Sequence, residues 1–211
     1  MTSASYTVRT AESHEYADAL EVLIAAFDGD PAMMAVIAGG SRRQELAKLR
    51  AIMTLQVYGN FQGRGRIDIA IDNTTGKIVG VCLWNTPESQ EGSFANELKQ
   101  IGAYYKALGC KTLLKAILME LHLLKYRPAY THWYLFNIGV LEEYRSRGIG
   151  SQLLDYGTER IGDYPAYLEA STYDSARLYE LGPFHGIFSK AHAVGMVYPG
   201  TGPAEIVQRN S

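Results

Sequence analysis

Residues 134 to 161, YLFNIGVLEEYRSRGIGSQLLDYGTERI, constrain the fold more than any other stretch of this 211-residue chain. The aromatic and β-branched run from Thr131 to Val140 predicts a strand, and the periodic stretch from Ser151 to Ile161 predicts a helix. Between them lies a turn crowded with Arg145, Arg147, Gly148 and Gly150. A strand that runs through a turn straight into a helix puts that turn at the carboxyl end of a parallel-type strand, where open α/β sheets bind ligands. Gly148 and Gly150 open backbone angles closed to other residues, so successive N–H groups can approach a ligand closely. The helix opening near Gly150 adds unpaired donors and roughly half a unit of positive charge. A pyrophosphate suits that environment, with Arg145 and Arg147 as further charge at the rim or as solvated turn residues.

The rest of the chain supplies strands and helices to surround this unit. Tyr6 to Thr10 alternates as a short strand, and Ser13 N-caps a predicted amphipathic helix carrying Leu20, Leu23, Ile24 and Phe27. Pro31 and Gly39-Gly40 break the chain before a second helix capped by Ser41. Residues 66–71 and 77–84 form a hairpin around DNTTGK. Residues 92 to 126 have helical spacing interrupted at Gly102 and Gly109, which predicts two or three helices ending at Arg127-Pro128. After residue 161 come a strand at 165–170, a short helix at 174–181, and two strands between Gly186 and Tyr198 around a turn at 191–193. The order predicts one α/β domain over 1–211: a mixed, twisted sheet of about six or seven strands, helices on both faces, and a helical insertion between strands 3 and 4.

Several function classes are disfavoured. Twenty basic against twenty-two acidic residues give a net charge of -2, which offers no whole-molecule attraction for nucleic acid. The sequence lacks Gly-Lys-Ser/Thr, and Gly139, Gly148 and Gly150 do not make GxGxxG. GRGR at 63–66 precedes a strand and reads as an exposed loop. No run resembles a signal peptide or membrane span, so the expectation is a cytoplasmic protein without membrane association. Cys82 and Cys110 read as two buried thiols, with no metal site.

The spacing Arg145-x-x-Gly148-x-Gly150, preceded by NIGV and followed by a helix, resembles the acetyl-CoA pyrophosphate motif of GCN5-related N-acetyltransferases (GNAT). HWYLFNIGVLEEYRSRGIGSQLL, then AYLEAS and ARLYELGPF, is similar to the puromycin N-acetyltransferase branch over about residues 130 to 200. The resemblance implies a GNAT fold with splayed central parallel strands. It places a bulge in Asn137-Ile138-Gly139-Val140, leaving Ile138 and Val140 to pair with the pantetheine arm of acetyl-CoA, although Gly139 also reads as a packing accommodation. It gives the pyrophosphate to the amides of Ser146, Arg147, Gly148, Ile149, Gly150 and Ser151. Tyr179 takes the position of the general acid that protonates the departing thiolate. Glu169 is the best-placed carboxylate for the base, or a holder of hydrogen bonds. His132 reads as structural, and deprotonation through water stays open. Thr172 stands where many members carry a cofactor-touching Asn, and Pro183 interrupts the usual YEKLGF.

Phe27, Met33, Met34, Tyr104 and Tyr105 are candidates for an apolar acceptor pocket. The expected reaction is acetyl transfer from acetyl-CoA to a primary amine of a small molecule by direct attack in a ternary complex. A protein lysine or N-terminal acetyltransferase and a noncatalytic acyl-CoA sensor are the alternatives. Many relatives are dimers, so a homodimer is open.

Overall fold

The computed structural model describes residues 5–60, 65–87, 94–125, 127–171, 173–180, 184–190 and 193–198. Thr172, Pro183 and the turn residues 191–192 lie outside them, as do residues 63 and 64 of GRGR.

The elements in chain order are β1 (Tyr6–Thr10), α1 (Tyr16–Phe27), α2 (Pro31–Ile37), α3 (Arg42–Thr54), β2 (Gly65–Asp72), β3 (Ile78–Asn85), α4 (Phe94–Leu124), β4 (Trp133–Val140), α5 (Ile149–Ile161), β5 (Ala166–Ala170), α6 (Tyr173–Glu180), β6 (His185–Lys190) and β7 (Ala193–Tyr198). The strands make one seven-stranded sheet in the order β1-β2-β3-β4-β5-β7-β6. Every neighbouring pair is antiparallel except β4 and β5. This is the predicted mixed sheet with its helical insertion between β3 and β4.

Alternation along the strands sorts the core to two faces. Ile67, Ile69, Val81 and Leu83 pack beneath α1, α2 and α3, while Ala70, Val79, Cys82 and Trp84 face α5 and α6. On α5, Ile149, Leu153, Gly157 and Ile161 recur every four residues and are buried as one stripe against the sheet. Each large apolar side chain so buried stabilises the fold by about 1.5–3 kcal/mol. Gly157 is small because the indole of Trp84 lies against it: a Cβ there would come within 2.6 Å of Nε1. Beside this stripe Arg160 of α5 pairs through both guanidinium nitrogens with fully buried Asp68 of β2, at 2.6 and 2.9 Å.

Four local expectations are corrected. Ser13 does not cap α1; Glu15 accepts the Glu12 N–H instead, at 2.9 Å, within a short 3₁₀ turn. The segment read as a break at Pro31 is the helix α2, because Asp30 caps it and Pro31 occupies the first turn, where its missing N–H costs nothing. Gly109 does interrupt α4, with φ 74°, whereas Gly102 continues it. Cys82 is buried as expected, but Cys110 is exposed. No described helix is long and apolar enough to cross a membrane.

Candidate active site

β4 and β5 pair over only three residues, Trp133 with Ala166, Tyr134 with Tyr167 and Leu135 with Leu168. On the other side β4 stays in register with β3 up to Val140. From Phe136 onward β4 therefore leaves β5 and opens a fork in the sheet. The bulge lies one residue earlier than expected: Leu83 pairs with Asn137 and Trp84 with Leu135, so Phe136 is the unmatched residue. Backbone of Ile138 and Val140 faces this fork with no strand opposite it among the described residues.

The turn after β4 begins with a single 3₁₀ turn at Glu142–Tyr144, pinned by the Leu141 N–H to Val79 O bond at 3.0 Å. Ser146 and Gly148 then both adopt left-handed backbone, φ 60° and 76°, on either side of Arg147. α5 starts at Ile149 with Gly148 as its N-cap. Such a sequence of conformations turns successive N–H groups toward one side, and the helix start adds its own unpaired donors. Among the described residues no N–H from Ser146 to Ser151 finds an acceptor, the first bonded one being Gln152 to Gly148 O at 3.0 Å. A Cβ on Gly148 would meet only Gln152 Nε2, at 4.0 Å, so the space before these donors is open.

A cavity of about 910 Å³ joins the turn to the fork. Of the predicted site residues, Ile138, Gly139, Val140, Arg145, Ser146, Gly148, Ile149, Gly150, Phe27, Glu169 and Tyr179 line it. Arg145 donates to Val140 O at 3.3 Å and Ala26 O at 3.4 Å, bracing the turn against β4 and α1. Arg147 and Ser151 are not in the wall. Arg147 folds back over the Tyr144 ring and donates to Glu143 O at 2.9 Å, because its own turn offers a nearer partner. Gly139 serves packing as well as access: a Cβ there would stand 2.7 Å from that of Ala26 on α1.

The acceptor end differs more from expectation. Phe27 and Met33 line the cavity, but Met34 and Tyr104 pack on the core and Tyr105 points to solvent. α4 contributes Met119, Glu120, His122 and Leu123 instead, from the turns after the Gly109 break. Arg127, just past α4, donates through Nε to Glu169 Oε1 at 2.8 Å and through Nη2 to Oε2 at 3.2 Å. It also binds both oxygens of Glu120, at 2.6 and 3.2 Å, while the Tyr134 hydroxyl donates to Glu169. Glu169 is thus held by two donors, which favours a hydrogen-bonding role over that of a free base. In the sequence Arg127 marks only the end of the helical stretch, and its partners at 134 and 169 come from strands that no local pattern connects to it. Burial, and next the field of Glu169, push the Tyr134 phenol far above its ordinary range. His132 donates its Nδ1–H to Tyr130 O at 2.7 Å, lies outside the cavity wall and is shifted down by burial, which suits a structural residue.

Tyr179 is buried on α6, edge-on to Phe184, with its side chain in the cavity wall. Burial first, and then the fields of Cys82 and Asp30, raise its phenol well above the ordinary value. The phenol is therefore a firmly protonated donor, weaker as an acid than the free group.

A family model, Acetyltransferase (GNAT) family, matches residues 6–182. The crystal structure of "histone acetyltransferase HPA2 and related acetyltransferase" from Corynebacterium glutamicum is 30% identical, with TM-score 0.70, over 94% of this chain and 98% of that one. PaiA N-acetyltransferase from Thermoplasma acidophilum, in complex with coenzyme A, shares the fold at 10% identity and TM-score 0.56, over 92% and 99%. Drosophila melanogaster polyamine N-acetyltransferase does so at 15% and 0.54, over 92% and 98%. Enzymes of this family draw their acetyl group from acetyl-CoA. With the forked sheet, the amide-lined turn and the family match in agreement, this chain belongs to the GNAT family of acetyltransferases.

Proposed function

We propose that the protein transfers an acetyl group from acetyl-CoA to the primary amine of a small molecule with an apolar body, by direct attack in a ternary complex. The observation that carries this reading is the run of unspent N–H groups from Ser146 to Ser151, of which Ser146, Gly148, Ile149 and Gly150 line the same cavity as the unpaired edge of β4 and Tyr179. The residues present fit the group: the amides would hold its pyrophosphate, and the strandless edge at Ile138 and Val140, where Arg145 also reaches the Val140 carbonyl, its peptide-like arm. When bound, acetyl-CoA supplies an activated acyl carbon and a thiolate leaving group.

The chain's own groups supply the rest. The fork leaves room between β4 and β5 for the reacting atoms. Tyr179 directs its O–H at the developing sulfur charge; since burial raises further a phenol whose ordinary value of about 10 already exceeds a thiol's value of about 8.5, it acts first as a hydrogen-bond donor and parts with its proton only as the bond to sulfur breaks. Phe27, Met33, Met119 and Leu123 give the acceptor end an apolar wall, which suits an arylalkyl or alkyl amine. The fold neighbours include arylalkylamine and polyamine N-acetyltransferases, which agrees with that class.

Calorimetry with acetyl-CoA, followed by CoA release over an amine panel, tests the reading. Binding with turnover, and turnover lowered about 10²–10⁴-fold in Tyr179→Phe, is expected. Binding without turnover on any amine would leave the sensor alternative. Turnover on lysine peptides in preference to small amines would favour the protein acetyltransferase, toward which the histone acetyltransferase named in the Corynebacterium structure points.

A further inference from the structure

We propose that Asp30 is the carboxylate that receives the proton of the incoming ammonium, a role that rests on the acetyl-transfer reading above. Among the described residues three carboxylates line the cavity: Asp30, Glu120 and Glu169. Glu120 and Glu169 share the Arg127 guanidinium, each through both oxygens. The partners of Asp30 among the described residues are neutral: the Met33 N–H on Oδ1 at 2.9 Å and the Ser171 hydroxyl on Oδ2 at 2.8 Å. A carboxylate offers about four acceptor positions, so both oxygens keep room for a proton. The neighbouring cation Arg42 is engaged by Asp28.

Two elements aim this group. Gly29, at φ 87°, turns the chain after α1, and Asp30 with Pro31 starts α2. From the opposite side, Ser171 at the end of β5 fixes the second oxygen. Among the described residues, the titratable and charged groups facing the same space are Tyr179 from α6, Glu169 from β5, Tyr134 from β4, Glu120 and His122 from α4, Arg127 after it, and Tyr144 and Arg145 from the turn. Tyr179 feels the charge of Asp30 directly. An acid and a base are therefore held on one cavity by different elements.

The proton count closes. Asp30 takes one N–H proton from the ammonium, which frees the nitrogen lone pair. That lone pair forms the C–N bond to the thioester carbonyl carbon, and the C–S bond breaks. Sulfur receives the Tyr179 proton, and the remaining excess N–H proton returns to the phenolate. The proton on Asp30 passes to solvent. In water the first transfer is uphill by about six pKa units, so it is drawn forward by the C–N bond formation that consumes the freed amine.

Asp30→Asn retains a side-chain oxygen for the α2 cap, since Asn caps as well as Asp, and so separates proton acceptance from folding. The expected result is kcat/KM at least 100-fold lower at pH 7, with the deficit closing as pH nears the amine's own pKa and the acceptor arrives uncharged. Acetyl-CoA affinity stays at the wild-type value, while a cationic acceptor binds the CoA complex at least tenfold more weakly and its alcohol isostere binds equally. If circular dichroism shows Asp30→Asn unfolded, Asp30→Ser serves, because it caps but accepts no proton at these pH values. A variant whose pH profile runs parallel to wild type overturns the proposal alone. A wild-type chain that binds acetyl-CoA but acetylates no amine overturns the acetyl-transfer reading and the proposal together.

Discussion

Arg127 grips both oxygens of Glu169 while its other guanidinium edge holds Glu120, so one cation joins the end of α4 to the strands at the fork. The Arg127 and Glu169 side chains are only 15% and 7% exposed. Removing one partner of a buried pair leaves the other charge unmatched, at a cost of about 3–5 kcal/mol when burial is complete. Arg127→Met is expected to lower stability by roughly 2–4 kcal/mol, read from the urea midpoint at unchanged m, because Glu169 and Glu120 then face each other uncompensated. Glu169→Gln keeps a hydrogen-bond acceptor for Arg127 and should cost less. Its pH–rate profile should keep the wild-type shape; an acid limb that disappears would restore Glu169 as the base.

Gly148 sits at φ 76° before open space. Gly148→Ala should cost about 1–2 kcal/mol of stability from the left-handed backbone and weaken acetyl-CoA more than tenfold, about 1.4 kcal/mol, as the methyl enters the cradle. Gly162, at the other end of α5, has φ 62° with nothing near its missing Cβ. Gly162→Ala, at ψ −128° where Gly148 has ψ 8°, should therefore show at least as much strain with unaltered affinity. Calorimetry on both variants decides the matter, and equal affinities would remove Gly148 from the site.

The strand-turn-helix unit and the order of elements along the chain were legible because period-2 and period-3.6 patterns are local, and the glycines of the turn mark backbone freedom at fixed spacing. The fork was not legible as such: nothing in WYLFNIGV says that pairing with β5 stops at Leu135. α2 was hidden by Pro31, which breaks a helix interior but favours a helix start; the Asp30 preceding it was the missed cue. The acceptor wall was the least legible part. Tyr104, Tyr105 and Met119 share helical spacing, and the Gly109 break, with φ 74°, decides which face of α4 continues into the cavity. The Arg127 network joins residues 120, 127, 134 and 169, and contacts of that range leave no periodic trace.

Gly157 lies where α5 crosses the Trp84 ring, and a Cβ would meet Nε1, Cζ2 and Cε2 at 2.6, 2.7 and 2.8 Å. Alanine favours a helix over glycine by about 1 kcal/mol, so a free surface would make Gly157→Ala stabilising. Here a rigid ring must move, and overpacking costs about 1–3 kcal/mol or more. Net destabilisation by urea unfolding is expected, with most of it recovered in the Trp84→Phe background. Additive effects of the two substitutions would show that the contact does not limit the approach of α5.

Acid should loosen the start of α1 as Glu15 takes up its proton. Arg9 of β1 hydrogen-bonds both oxygens of Glu15 at 2.7 Å, and this contact, working against partial burial and helped by the Glu12 N–H, lowers Glu15 to about 2 from an ordinary 4.5. A depressed carboxylate contributes stability above its unfolded value and loses it as pH falls through the folded value. The window is therefore about pH 4.5 down to 2. Arg9 is 39% exposed, so screening limits the contribution to about 1 kcal/mol. Glu15→Gln should lower unfolding free energy by that amount at pH 7, with the difference from wild type shrinking toward zero near pH 2. Added salt should narrow the pH 7 difference without abolishing it, since the Glu12 N–H bond persists. A difference that holds constant across the window would mean that Glu15 acts through packing, and that the Arg9 pair carries no net stability.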